Sequence, residues 1–327
     1  MEKPLISVIV PAFNVAHLVT DALDSVAKQT YPNIELIVVD DGSTDNTFDV
    51  VQEISPEAAI IRQENRGLSG ARNSGIKASR GLYLAFLDAD DRWLPDKLNK
   101  QYQFAMRHPD VSVFVCNVIN REGDQLKGPR FSSKKIFGEK KSEGIVSDYI
   151  KPAVRYSFHA PSSWFVRRTL FDRYGLFDES LRAAEDSDII LRWVLAGELI
   201  GYQDEGMVLY QTANPDSLRK DYSAWADNHF RCWLGAERYG IPEDERQAFE
   251  TMRKLTLLDS CRSLILAGDP KTAGHHLKKN RELLFGIRWI ILIALSHLPT
   301  PFNAALRKTR AIVLDTGIVK KYKQRLH

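Results

Sequence analysis

Cysteine is scarce in this chain: three residues in 327, Cys116, Cys232 and Cys261, odd in number and far apart. That spacing excludes a disulfide framework and a zinc site, and it fits a reducing compartment. Long apolar runs are missing too. The most apolar stretch, Leu283 to Leu298, is bracketed by Arg288 and His297 and ended by Pro299, short of the roughly 20 residues that a bilayer span needs. Met1 to Asn14 lacks the basic flank and the length of a secretory signal, so the protein is expected to stay in the compartment where it is made. No Gly-x-Gly-x-x-Gly follows the first apolar run, Ile6 to Val10, which disfavours a dinucleotide-dependent dehydrogenase. No internal repeat is visible.

Net charge is small, +3, but unevenly placed. From Thr251 onward there are 15 Lys or Arg against 4 Asp or Glu, leaving 30 bases against 38 acids before it. An acidic body without a basic stripe argues against nucleic acid as a partner. The basic end suits an anionic surface, and a membrane fits it best.

Ile6 to Val10 and Glu35 to Val39 are continuous β-branched runs, ended by Pro11 and by Asp40-Asp41-Gly42; both read as buried parallel strands. Val15 to Gln29 between them reads as a helix, with Leu18, Ala22, Leu23 and Val26 at helical spacing. Thr44 to Ile54 predicts a second helix, Ala59 to Arg62 a third strand, Gly67 to Arg80 a glycine-rich turn running into a helix, and Leu82 to Leu87 a fourth strand. Val111 to Val118, Trp164 to Val166 and Ile200 to Leu209 predict further strands, Asp186 to Leu195 a helix, and Arg121 to Lys141 a mobile loop. After about Ser223 the pattern is helical. Alternating strands and helices imply an open, mostly parallel α/β sheet whose ligands sit beyond the strands' carboxyl ends. The expected division is a catalytic domain over residues 1–222 and a helical, basic region over 223–327.

Three acidic clusters carry the chemistry: Asp40-Asp41, Asp88-Ala89-Asp90-Asp91 and Glu185-Asp186-Ser187-Asp188. Any one of them also reads as a helix cap or a solvated turn. Taken together they form a set of hard oxygen donors whose mutual repulsion a cation relieves. Such donors suit Mg2+ or Mn2+, and an ion of this kind takes one or two carboxylates plus phosphate oxygens. A metal-bound diphosphate is the natural occupant. A nucleotidyltransferase on a similar sheet would want a basic, glycine-rich loop after the first strand, which Pro11-Ala12-Phe13-Asn14 does not supply.

Four motifs in order then resemble the N-terminal half of glycosyltransferase family 2: Ser7 to Asn14, Val38 to Thr47, Asn65-Arg66-Gly67 with Ala71 to Gly75, and Phe86 to Asp91. The resemblance continues through Gly175 to Glu179 and Glu185-Asp186, covering about residues 5–218. It implies a GT-A fold, an open Rossmann-like sheet flanked by helices, here with a helical C-terminal extension. It further implies that Asp40 hydrogen-bonds the base of a nucleotide-sugar donor, usually uracil, and that Pro11, Phe13 and Asn14 contact the nucleoside. Asn65 and Arg72 would line the nucleotide pocket, Asp88 with Ala89 would meet the ribose, and Asp90 would hold the divalent metal. Asp186 is implied as the base that deprotonates an acceptor hydroxyl, with inversion at the anomeric carbon. Glu185, Trp93, Arg192 and Trp193 are expected to orient the site or meet the acceptor.

Two departures matter. Processive relatives carry Gln-x-x-Arg-Trp where Ile189 stands before Arg192-Trp193, which favours transfer of a single sugar. Many relatives carry Tyr-Arg-x-His-x-x-Ser where this chain has Tyr210 to Ser217, with Gln211 and Asn214 at the Arg and His positions. His159 is given no catalytic part. Leu283 to Leu298, with a tryptophan and flanking bases, reads as an interfacial helix on an anionic leaflet. The expected protein is cytoplasmic and peripheral at the inner face of the cell membrane, acting on a saccharide or lipid-linked acceptor in cell-surface polysaccharide synthesis. A non-catalytic sugar-nucleotide or membrane-binding module would be expected to have lost Asp90 or Asp186, and both are present.

Overall fold

The computed structural model describes residues 3–123, 125–129, 141–146, 160–212 and 222–283. The chain divides into two compact units, Met1–Ser217 and Leu218–His327.

The first unit begins with β1 (Ile6–Ala12), α1 (Val19–Ala27), β2 (Ile34–Asp40), α2 (Thr47–Ile54), β3 (Ala59–Arg62), α3 (Gly67–Ala78) and β4 (Tyr83–Phe86). These four strands pair in parallel, in the order β3-β2-β1-β4. Strands β1 and β4 are buried along their whole length, which is why their sequences are apolar without alternation. On one face Val8 and Val10 share a core with Val19, Ala22, Leu23 and Val26 of α1. On the other, Ile37 and Val39 pack with Ala71 of α3. Burying each such Val, Leu or Ile side chain favours folding by about 1.5–3 kcal/mol. Helix α3 approaches β1 so closely that a Cβ on Gly75 would lie 2.4 Å from Ile9 Cγ2.

Beyond β4 the chain adds β5 (Arg92–Trp93), α4 (Lys97–Arg107), β6 (Val113–Glu122), β7 (Gln125–Pro129) and β8 (Glu143–Val146). A 3-10 turn (Pro161–Ser163), β9 (Trp164–Arg167), α5 (Thr169–Tyr174), α6 (Glu185–Leu195) and β10 (Ile200–Gln211) follow. The sheet continues from β4 as β9-β6-β10-β5. Strand β9 runs antiparallel to both β4 and β6, whereas β10 is parallel to β6. At residues 121–122 and 125–129 the expected loop is instead strand: β6 runs to Glu122 and β7 pairs antiparallel with it, Glu122 opposite Gln125. Gln125, Leu126 and Lys127 are exposed, so backbone hydrogen bonds hold this ladder with no apolar pattern to announce it. Residues 130–140 lie outside the described residues.

The second unit is helical over its described residues: α7 (Tyr222–Gly235), α8 (Arg246–Ala267) and α9 (Pro270–Lys279). Phe230, Leu257, Cys261, Ile265, Ala273, Leu277 and Leu283 form its core. Asp269 caps α9 by accepting from Thr272 N at 3.1 Å, with Pro270 at the first helical position. Residues 284–327, which include the rest of the apolar stretch to Leu298, lie outside the described residues, as do His159 and Asn214.

Candidate active site

The carboxyl ends of β1, β2 and β4 carry the first two acidic clusters. Pro11 lies past Ile9, the last β1 residue to pair with β4, so its missing N–H removes no bond from that ladder. Asn14 has φ +52, a conformation that Asn tolerates better than most residues. Its Oδ1 accepts from Thr44 N at 2.8 Å, and its N donates to Ser43 Oγ at 3.0 Å. Asn14 thereby latches the loop after β1 to the loop after β2. Phe13 beside it is 46% exposed.

Asp40 closes β2 and is buried. Its Oδ1 accepts from Ser43 N at 3.0 Å. Its Oδ2 lies 3.3 Å from Arg62 Nε, close enough for an ion pair, yet has no hydrogen-bond partner. Asp41 turns away and accepts from Gln63 Nε2 (2.7 Å) and Arg66 N (2.9 Å), fixing the entry to α3. Gly42 has φ +80, and a Cβ there would lie 2.9 Å from Asn65 N, so this crossing of two loops requires glycine. Asn65 is exposed, and its Oδ1 accepts from Gly67 N at 3.2 Å.

Arg72 on α3 is only 1% exposed. Its Nη1 donates to Glu185 Oε1 at 2.6 Å and its Nη2 to Asp88 Oδ1 at 2.8 Å, with the guanidinium over the Phe177 ring. One cation thus joins the second and third acidic clusters. Burial and the nearby Asp186 charge push the Glu185 carboxyl up, opposed by Arg72.

Asp88 to Asp91 form a tight turn after β4, closed by Asp91 N donating to Asp88 O at 2.9 Å. Asp88 and Asp90 are half-buried, and Ala89 belongs to the core. Asp91 is buried, and its Oδ1 accepts from Gln211 N at 2.9 Å. Burial raises its carboxyl well above the usual range, and the charges of Asp90 and Asp88 add to this. The carboxylates of the turn therefore disfavour one another's charge, with Arg72 offsetting that of Asp88. Arg121, at the end of β6, reaches Asp90 O with Nη2 at 3.5 Å.

The third cluster opens α6. Ala184 precedes it at φ +62, a left-handed conformation uncommon for alanine. Glu185, Asp186 and Asp188 fall in the first turn, where the helix dipole favours negative charge. Asp186 is half-buried, and its Oδ1 accepts from Ser187 N at 2.7 Å.

Three residues expected to orient the site or meet the acceptor are packed within the protein. Trp93 is buried, donates from Nε1 to Ser162 O at 2.8 Å and carries Lys97 Nζ 4.0 Å from its ring centre. Lys97 thus covers one face of the ring, and Trp93 is only 4% exposed. Trp193 is fully buried against Trp164 and Phe171. Arg192 pairs with Asp188 and donates to Tyr174 O and Leu176 O at 2.9 Å each, bracing α6 against the end of α5.

Other residues support the site without having been singled out. Asn73 Nδ2 donates to Phe177 O (3.0 Å) and Glu179 Oε1 (2.9 Å), while Phe177 N donates to Asn73 Oδ1 (3.0 Å). Arg66 forms a bidentate pair with Glu179. These contacts clamp α3 to the segment leading to α6. Their signal was present in the motifs Ala71 to Gly75 and Gly175 to Glu179.

Comparison with known proteins follows the same lines. The family model for glycosyl transferase family 2 matches residues 7–175. The uncharacterized glycosyltransferase EpsJ of Bacillus subtilis (strain 168) is 32% identical over 332 aligned residues, covering 95% of this chain and 91% of EpsJ. WfgD of Escherichia coli, a UDP-Glc:alpha-D-GlcNAc-diphosphoundecaprenol beta-1,3-glucosyltransferase, is 39% identical over 138 residues, 42% of this chain and 54% of WfgD. The crystal structure of S. aureus TarS 1-349 in complex with UDP-GlcNAc has the same fold, with TM-score 0.68 and 20% identity over 92% of this chain and 88% of that one. A match along nearly the whole chain, on a GT-A sheet, makes this protein a glycosyltransferase belonging to glycosyl transferase family 2.

Proposed function

We propose that the protein transfers one sugar from a nucleoside diphosphate donor, preferably a uridine donor, to a saccharide or lipid-linked saccharide, inverting the anomeric centre. The observation that carries this reading is the double pairing of Arg72 with Asp88 and Glu185. It ties Asp88 of the proposed donor-binding turn to Glu185, the neighbour of the proposed base Asp186, although the two lie far apart in sequence. Asp40 Oδ2 at the end of β2, which pairs with Arg62 but accepts no hydrogen bond, is an acceptor suited to the N3–H of uracil. WfgD, by its name, uses UDP-Glc and a diphosphoundecaprenol-linked acceptor, and TarS was solved with UDP-GlcNAc, which supports both choices.

Among the described residues no three His, Cys, Asp or Glu side chains converge as a metal cage. Asp90 would hold a Mg2+ or Mn2+ ion without such a cage, because an ion of this kind takes only one or two protein carboxylates. The hard oxygen donors of the turn and the mutual repulsion of its carboxylates fit such an ion. When bound, it neutralises charge growing on the leaving diphosphate. Asp186 accepts the proton of the attacking hydroxyl. Glu185, fixed by Arg72, holds the first turn of α6 in place. One base with no covalent sugar–enzyme intermediate gives inversion.

Residues 223–327 are assigned to the cytoplasmic membrane surface, in support of a lipid-linked acceptor in cell-surface polysaccharide or glycoconjugate assembly. Their excess of bases and the Leu283 to Leu298 stretch favour this. No described helix is long and apolar enough to cross a membrane.

Calorimetric titration with uridine, guanosine and thymidine diphosphate sugars, with and without Mn2+, tests the proposal. Metal-dependent binding of one uridine donor is expected. Binding of none in the presence of metal would favour a non-catalytic module instead.

A further inference from the structure

We propose that Ser162 is a positioning residue for the Asp88–Asp91 turn, fixing where its carboxylates stand toward the donor diphosphate and metal. The inference rests on the donor reading above. Ser162 is fully buried. Its Oγ accepts from Asp88 N at 3.1 Å and donates to Asp91 Oδ2 at 2.6 Å. A single hydroxyl therefore ties the first residue of the turn to the last, and Gln211 N holds the other Asp91 oxygen.

The serine is itself held on a rigid base. The carbonyls of Ser162, Ser163 and Trp164 each accept from a buried side chain: Trp93 Nε1 at 2.8 Å, Gln101 Nε2 at 2.9 Å and Lys97 Nζ at 3.3 Å. Ser163 Oγ donates to Ala160 O at 2.7 Å, closing the 3-10 turn from within. Moving the Ser162 hydroxyl means breaking contacts to β5 and α4 together. This assigns a role to the buried Trp93, Lys97 and Gln101, none of which meets the substrate.

The position demands a group that accepts and donates at once. Serine and threonine do both, whereas alanine does neither. Without the hydroxyl, Asp88 N and Asp91 Oδ2 lose their buried partner, and Asp90 lies between the two loosened ends. Removing a partner that orients a metal-binding element typically costs about 10–100-fold in metal affinity.

Calorimetry with UDP, in the presence and absence of Mn2+, on the wild-type chain, Ser162→Ala and Ser162→Thr tests this. Ser162→Ala is expected to weaken Mn2+-dependent UDP binding by about tenfold or more while leaving metal-free UDP binding near wild type, and Ser162→Thr to restore it. If Ser162→Ala does not fold, Ser162→Cys, with a weak donor at similar volume, takes its place. Wild-type behaviour of the variant, or an equal loss with and without metal, overturns the inference alone. Failure of the wild-type chain to bind UDP with metal overturns the donor reading and this inference with it.

Discussion

Arg72 Nη1 meets Glu185 Oε1 at 2.6 Å across 113 positions of sequence, with both side chains sealed from solvent. A buried pair of this kind adds little over a well-packed apolar pair, but breaking it strands a charge. Arg72→Ala should therefore lose about 3–5 kcal/mol of stability in denaturant unfolding, and the Arg72→Ala/Glu185→Ala double variant less than the sum of the two singles. Additive losses would show that the two residues act independently.

Asp186 is assigned the proton transfer and no part in donor binding. Asp186→Asn should lower the transfer rate by about 100- to 10,000-fold and leave donor affinity within about twofold of wild type. Radiolabelled sugar transfer alongside calorimetry separates the two quantities. Retained transfer would remove Asp186 from the mechanism.

Asp90 is assigned the metal and no part in proton transfer. Asp90→Ala is expected to abolish the Mn2+-dependent part of donor binding, leaving only the weak metal-free component. A manganese titration at fixed UDP reads this directly, and an unchanged metal dependence would move the ion elsewhere.

Lys97 gives a pH signature. Burial lowers its pKa from 10.5 to about 8, with the charge of Cys116 acting in the opposite direction. Below about pH 8 the fold carries a buried ammonium, at a cost of about 3 kcal/mol relative to the unfolded chain. Between pH 8 and 10.5 the unfolded state binds more protons than the folded state, so stability rises with pH across that window. Wild type should gain on Lys97→Met when unfolding is compared at pH 7 and pH 10. A gain on acidification instead would contradict the burial.

Gly75→Ala places a methyl 2.4 Å from Ile9 Cγ2. Overpacking costs about 1–3 kcal/mol, partly offset by about 1 kcal/mol of better helix propensity. A net drop in melting temperature is expected, even though alanine suits a helix better than glycine.

Much of this was legible before the coordinates. Strands β1, β2 and β4 announce themselves because a parallel strand covered on both faces is apolar throughout, and the acidic clusters stand out because Asp is rare at the end of such a run. The two-residue β5 and the ladder of β7 were not legible, because margin strands are held by backbone bonds and carry no apolar period. Trp93 follows an acid-rich turn in sequence, and only the packing of Ser162 and Lys97 around it shows that it belongs to the core. Ser162 itself was invisible: its partner Asp88 is 74 residues away, and no local pattern marks a hydroxyl that works at that range.

The reversed polarity of β9 has a corollary. Antiparallel pairing sets Ala85 opposite Phe165 and Leu84 opposite Val166; extending that register three residues further brings Asp88 level with Ser162. The meeting is thus dictated by two adjoining strands and not by the length of the excursion between them. A change in the number of residues between Val146, the end of β8, and Ala160 is therefore expected to leave the Asp88–Ser162 meeting in place. The Asp88–Asp91 turn thus depends on the partner strand it pairs beside and tolerates variation in the chain that leads there.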